Sequence, residues 1–174
     1  MTLLEKNELD NIKWDIIGLG EVRPKGEALY DLQSRNTICY RGKERGGASG
    51  VGFILRKYLT ANVLSSSDRV EQMIVKLSNQ QKPRIIQIYM PTTSHIDDAI
   101  DEVYEEIDGL LNQDKASHTI IMGDFNAKVR AGEQVFGIGV RNDRGDKLVD
   151  FAVNKGFRIM NTFFKKKPSM NWSK

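Results

Sequence analysis

Ile120-Ile121-Met122-Gly123-Asp124-Phe125-Asn126 is the stretch on which the reading of the chain turns. Three apolar residues run into a glycine, the pattern of a strand buried in an α/β sheet. Gly123 permits a sharp turn at the strand's end. Asp124 and Asn126 are thereby delivered to the sheet edge, where ligands of α/β proteins usually sit. An aspartate supplies a metal ligand or a base, and an asparagine supplies both a donor and an acceptor. The same two residues also make an ordinary Asx turn that closes a strand, so the rest of the chain must decide.

Upstream, Trp14-Asp15-Ile16-Ile17-Gly18-Leu19-Gly20 repeats the design and runs into Glu21-Val22-Arg23-Pro24. Glu21 is either a solvated carboxylate or a hard oxygen ligand for Mg²⁺. Arg23 shares its side if the backbone stays extended, which would set a cation beside a phosphate or the carboxylate. Arg84 to Met90 is a third strand, stopped by Pro91. Its Tyr89 is either a core aromatic with its hydroxyl at the rim or a phenol aimed into a shared cleft. Asn36–Tyr40, Val51–Arg56, Val70–Leu77 and Phe157–Asn161 also read as strands. The first two form a hairpin around the basic, glycine-rich loop Arg41–Gly50. Ser94 to Leu111 has the 3.6-residue apolar stripe of an amphipathic helix, capped by Ser94 with Asp97 in support. A second helix is expected from Asp146 to Lys155, after the glycine-rich loop Val129–Gly139.

The chain has 174 residues, enough for one domain with a sizeable core, and no linker or repeat divides it. Residues 1–174 are therefore expected to form a single α/β domain. No apolar run approaches the roughly 20 residues that span a bilayer, and no signal core opens the chain, so no membrane role is expected. Cys39, the lone cysteine, reads as a buried inert thiol, in keeping with a reducing, nuclear or cytoplasmic setting. The net charge of +3 conceals an asymmetry. Seven acids and no base lie between Asp97 and Asp108; without them 26 bases stand against 16 acids, or +10. An acidic outer face and a basic remainder suit a polyanionic partner such as DNA. His95 and His118 read as structural, and no Cys/His cluster implies zinc.

Gly18-Leu19-Gly20-Glu21-Val22-Arg23, Ile88-Tyr89-Met90-Pro91-Thr92, Gly123-Asp124-Phe125-Asn126 and Arg141-Asn142-Asp143-Arg144-Gly145-Asp146-Lys147-Leu148-Val149-Asp150-Phe151 occur in that order. Together they resemble the endonuclease/exonuclease/phosphatase superfamily, and within it the apurinic-endonuclease-like domain of RTE-type non-long-terminal-repeat retrotransposons. The resemblance implies a four-layer α/β sandwich with a metal-dependent phosphodiesterase cleft where its two sheets meet. It implies Glu21 as ligand of Mg²⁺ (or Mn²⁺), Tyr89 beside the phosphate, Asp124 orienting or deprotonating the attacking water, and Asn126 holding phosphate or metal shell. Asn142 corresponds to a loop that approaches DNA. The implied activity is DNA nicking. A catalytically inactive remnant that binds nucleic acid and a small-molecule phosphatase of the same fold are the alternatives. The family's opening asparagine strand and closing Asp-His pair have no counterpart, so the chain is expected to be truncated at both ends.

Overall fold

The strongest apolar runs of the sequence become paired strands. A computed structural model describes residues 13–44, 49–64, 67–92, 98–113, 116–129 and 140–163. The chain divides into two compact units, residues 1–90 with 96–124, and residues 91–95 with 125–174.

The first unit holds β1 (Ile16–Gly20), β2 (Gly26–Asp31), β3 (Thr37–Gly42), β4 (Gly50–Leu55), β5 (Thr60–Val63), β6 (Val70–Lys76), β7 (Arg84–Tyr89), α1 (Asp98–Leu111) and β8 (Thr119–Asp124). These form two four-stranded sheets, ordered β1-β4-β3-β2 and β5-β6-β7-β8. The architecture is mixed α/β, as expected. Strand pairing is antiparallel except between β7 and β8, which run parallel with Tyr89 opposite Asp124. The expected hairpin around the basic loop is the β3–β4 pair, closed by Gly42 opposite Gly50.

The sheets pack face to face. Cys39, Phe53 and Leu55 of the first meet Met73, Val75 and Ile85 of the second. Phe53 and Met73 are fully buried, each contributing roughly 1.5–3 kcal/mol by leaving water. Every residue of β4 and of β7 is buried, and each strand is flanked on both sides within its sheet. Burial also pushes the Cys39 thiol up to about 12, which keeps it an inert core residue. The outer face of the second sheet carries α1, whose Ile100, Val103, Ile107 and Leu110 are buried at helical spacing. Its acids Asp98, Asp101, Glu102 and Glu105 are exposed. Gln72 Nε2 of β6 donates to Gln113 Oε1 just beyond this helix at 3.2 Å. The expected cap at Ser94 and Asp97, and His95, lie outside the described residues.

Two expectations about the opening stretch are corrected. Gly123 lies within β8, not after it; its φ is +133°, and a Cβ there would stand 2.0 Å from Ile88 O. The glycine is needed for close approach to β7, and the chain turns later, at Asn126 (φ 48°). Nor is β8 wholly buried, since it ends the order of its sheet and Ile120 is 53% exposed.

The second unit is built on α2 (Asp143–Asn154) and a 3₁₀ turn, Met160–Thr162. This helix starts three residues earlier than Asp146. Asn142 caps it, accepting from Gly145 N at 3.0 Å, so Asp143 and Asp146 fall in its first turn, where acids suit the helix dipole. The expected strand Phe157–Asn161 does not form. Phe157 N bonds back to Ala152 O at 2.7 Å, and the ring of Phe157 stacks on Phe151 with centroids 6.4 Å apart. Those contacts wrap the segment around the helix end. Most of the loop at 129–139 lies outside the described residues. Among the described residues, no helix is long and apolar enough to cross a membrane.

Candidate active site

Three strand ends of the first unit carry the site, and each is fixed by local chemistry. β1 ends at Gly20, and Glu21 follows with φ 54°. The left-handed region costs a non-glycine residue roughly 1–2 kcal/mol, so its surroundings must enforce it. Val22 N donates to Gly50 O at 3.0 Å, and the Val22 side chain is buried. The backbone from Val22 to Pro24 presses onto the β3–β4 hairpin so closely that a Cβ on Gly50 or Gly42 would lie 2.2 Å from Val22 O or 1.7 Å from Pro24 O. Two glycines of the hairpin thus make room for the turn that presents Glu21 to solvent. Because the backbone turns there, the extended-chain argument that put Arg23 beside Glu21 does not hold, and Arg23 is simply exposed.

Tyr89 ends β7 with its ring buried and its hydroxyl reaching the rim. The hydroxyl donates to Glu21 Oε1 at 2.8 Å. The bond links the two sheets, from residues 68 apart in sequence. Burial, the hydrogen bond to Glu21, and the negative charges of Glu21 and Asp124 push the phenol up to about 12, against the pull of Arg69. Tyr89 is therefore a neutral donor throughout the physiological range. Asp124 ends β8 directly opposite Tyr89 and is exposed. Its own O is bonded by Met90 N at 2.9 Å, which holds the two strand ends together. Glu21, Tyr89 and Asp124 are thus brought to one edge.

Arg69 is a member of this edge that the sequence did not single out. It precedes β6, and its carbonyl accepts from Tyr89 N at 2.9 Å. Its positive charge is felt by the Tyr89 phenol. Only the β6–β7 register places it there, and no local pattern marks it. His118 falls at the other end of β8, where its carbonyl accepts from Arg84 N.

Asn126 and Asn142 belong to the second unit. Asn126 is half-buried, with its left-handed backbone starting the turn. Asn142 Oδ1 accepts from both Gly145 N at 3.0 Å and Lys128 N at 2.9 Å. One side chain therefore caps α2 and ties down the segment that follows Asn126. Arg144 does the same for the segment after β7, donating to Pro91 O and, at 2.9 Å, to Thr92 O. Arg141 pairs with Asp146 at 2.6 Å. The motif running from Arg141 to Phe151 thus acts as the scaffold that anchors two loops.

Known proteins resemble the chain over most of its length. The endonuclease-reverse transcriptase family (Exo_endo_phos_2) matches residues 83–174. Craniofacial development protein 2 of Tragulus javanicus is 31% identical over 169 residues, covering 91% of this chain and 29% of that protein. The Bos taurus protein of the same name is 30% identical over 169 residues, covering 91% of this chain and 28% of its own length. The chain therefore spans less than a third of these relatives. No solved structure matches. With β7, β8, α2 and the residues Tyr89, Asp124, Asn126 and Asn142 all inside the matched span, the chain belongs to the endonuclease-reverse transcriptase family of the endonuclease/exonuclease/phosphatase superfamily.

Proposed function

We propose that this chain carries the phosphodiester-cleaving edge of a Mg²⁺-dependent, DNA-nicking endonuclease domain of RTE-type retrotransposon descent. The observation that carries the reading is the 2.8 Å bond from Tyr89 to Glu21, with Asp124 paired to Tyr89 at the next strand end. The four-layer sandwich goes with this reading, supported by two facing sheets and α1 on the outer face of one.

The donor set fits a hard cation. Glu21 offers carboxylate oxygen in solvent, where Mg²⁺ keeps most of its waters and needs only one or two carboxylates. The Tyr89 hydroxyl orients that carboxylate, the kind of support a metal ligand usually has. Mn²⁺ has similar needs. When bound, the cation supplies positive charge at the phosphate oxygens, which a nucleophile cannot otherwise approach. Glu21 would hold it. Asp124, at the adjacent strand end, would accept the proton of the attacking water, a role typically worth 10²–10⁴-fold. Tyr89 stays protonated and donates toward developing phosphate charge. Arg69 and Arg23 would add positive charge, and Asn126, in the second unit, keeps the phosphate-holding role that the family resemblance implies. Asn142 has its oxygen committed to two backbone donors, leaving its amide nitrogen for a DNA contact.

Two observations favour a second reading, a nucleic-acid-binding module without turnover. His118 lies at the far end of β8 from Asp124, and among the described residues no cluster of three metal-type ligands forms. Supercoiled plasmid incubated with protein and Mg²⁺ separates the two. The proposal expects nicking that EDTA abolishes and Asp124→Ala slows at least 10²-fold. Nicking that persists in Asp124→Ala contradicts the site assignment, and no nicking by wild type favours the binding module. Hydrolysis of small phosphate esters in place of plasmid would point to the phosphatase.

A further inference from the structure

Behind the Tyr89–Glu21 bond lies a polar pair that the proposed chemistry does not use. Glu71 of β6 and Gln87 of β7 are directly opposed across the antiparallel pair. They are 2% and 3% exposed. Glu71 Oε2 and Gln87 Oε1 both lack a hydrogen-bond partner, a costly arrangement for buried acceptors. Gln87 faces the first sheet: its Nε2 donates to Leu19 O of β1 at 3.2 Å, and a Cβ on Gly18 would lie 2.0 Å from its Oε1. A carbonyl only accepts, so Leu19 O fixes which end of the carboxamide is nitrogen. The oxygen must then find a donor elsewhere. Directly opposed side chains of an antiparallel pair start about 4.5–5.5 Å apart at Cβ, within reach for a carboxyl and a carboxamide. Two acceptors without a donor become a satisfied pair when one proton is added.

The titratable groups of the first sheet that interact electrostatically with Glu71 are Arg41 and Cys39 of β3 and Glu27 of β2. Arg41 is shared with Glu27, 3.5 Å away. Burial pushes the Glu71 carboxyl up to about 7, with Arg41 opposing and Glu27 assisting.

We propose that Glu71 is held between the sheets as a neutral carboxylic acid donating its proton to Gln87 Oε1, and that Gln87 is thereby the positioning residue that sets the end of β1 against β7. Leu19, which Gln87 holds, is two residues before Glu21, so the chain Glu71–Gln87–Leu19 governs whether Glu21 meets the Tyr89 hydroxyl. This deepens the proposed function and rests on it for the roles of Glu21 and Tyr89. On ionisation the proton passes to solvent, two acceptors face each other, and Gln87 loses its orientation.

The test is a ¹³C NMR titration of side-chain carboxyl and tyrosine ring signals in the whole chain, with Glu71→Gln as the partner variant. Glu71 is expected to titrate near pH 7, the Tyr89 ring signals shifting with the same midpoint, and that step vanishing in Glu71→Gln. A Glu71 midpoint at the ordinary value of 4.5 overturns the proposal, as does a Tyr89 ring that ignores the step. Neither readout depends on cleavage, so an inactive protein would count against the nuclease alone. If Glu71→Gln does not fold, the shared midpoint in wild type still decides. Where nicking is present, the ratio of Glu71→Gln to wild-type rate should rise at least five-fold from pH 6 to pH 8.5, and a flat ratio overturns the positioning role.

Discussion

Tyr89 shows how much one atom can join. Its ring belongs to the core and its hydroxyl to the site, so its two sequence readings, core aromatic and cleft phenol, both hold. Tyr89→Phe keeps the ring and removes the donor. Nicking should fall about 10²-fold, the usual cost of one donor aimed at developing charge, with stability lower by only about 1 kcal/mol; an unchanged rate would remove Tyr89 from the mechanism. Glu71 makes the complementary case, a side chain whose weight shows in stability. Its carboxyl is raised from 4.5 to about 7, so between those values the folded chain holds a proton that the unfolded chain has released. The stabilisation is complete below pH 4.5 and is lost as pH rises through 7, amounting to about 3 kcal/mol. Melting temperature should therefore fall from pH 5 to pH 8 in wild type and not in Glu71→Gln, and parallel curves would contradict this. A lone Glu in a strand pattern reads as solvent-facing, and only the stacking of the sheets shows otherwise.

At the scale of elements, legibility followed burial. β1, β4 and β7 announce themselves as apolar runs bounded by glycine, proline or turn residues, β6 by an imperfect alternation, and α1 by its stripe. β2 was not expected, because Gly26–Asp31 carries Glu27 and Asp31, leaves Leu29 and Tyr30 exposed, and pairs on one side only. β5, four residues long, is too short to show a period. Phe157–Asn161 alternates like a strand, yet stacking of Phe157 on Phe151 claims it for the end of α2. The start of α2 was hidden by Gly145, a poor helix former, although Asn142 is itself a favoured N-cap residue and Asp143 and Asp146 suit a first turn. Asn142→Ala removes that cap and the bond from Lys128 together. It should cost about 1–2 kcal/mol and speed hydrogen exchange at the amides of Gly145 and Lys128. Protection unchanged at both would show that the cap is idle.

Across the whole molecule, the site edge is where antiparallel and parallel pairing meet. The β6–β7 pair brings Arg69, the parallel β7–β8 pair brings Asp124, and packing of the sheets brings Glu21. Glu21, Tyr89 and Asp124 were legible because each follows an apolar run, so position at a strand end could be read directly. Arg69, Glu71 and Gln87 were not, because their meaning depends on register and on which faces meet. Under the proposed function Glu21 and Asp124, 103 positions apart in sequence, act as one site. Residues that act as a unit are non-additive when removed together. The decisive measurement is the plasmid-nicking rate of the Glu21→Gln/Asp124→Ala double variant beside the two single variants. Each single variant should lose at least about 10²-fold, and the double should be no slower than the slower single. Losses that multiply, or a single variant that nicks at the wild-type rate, would contradict the proposal.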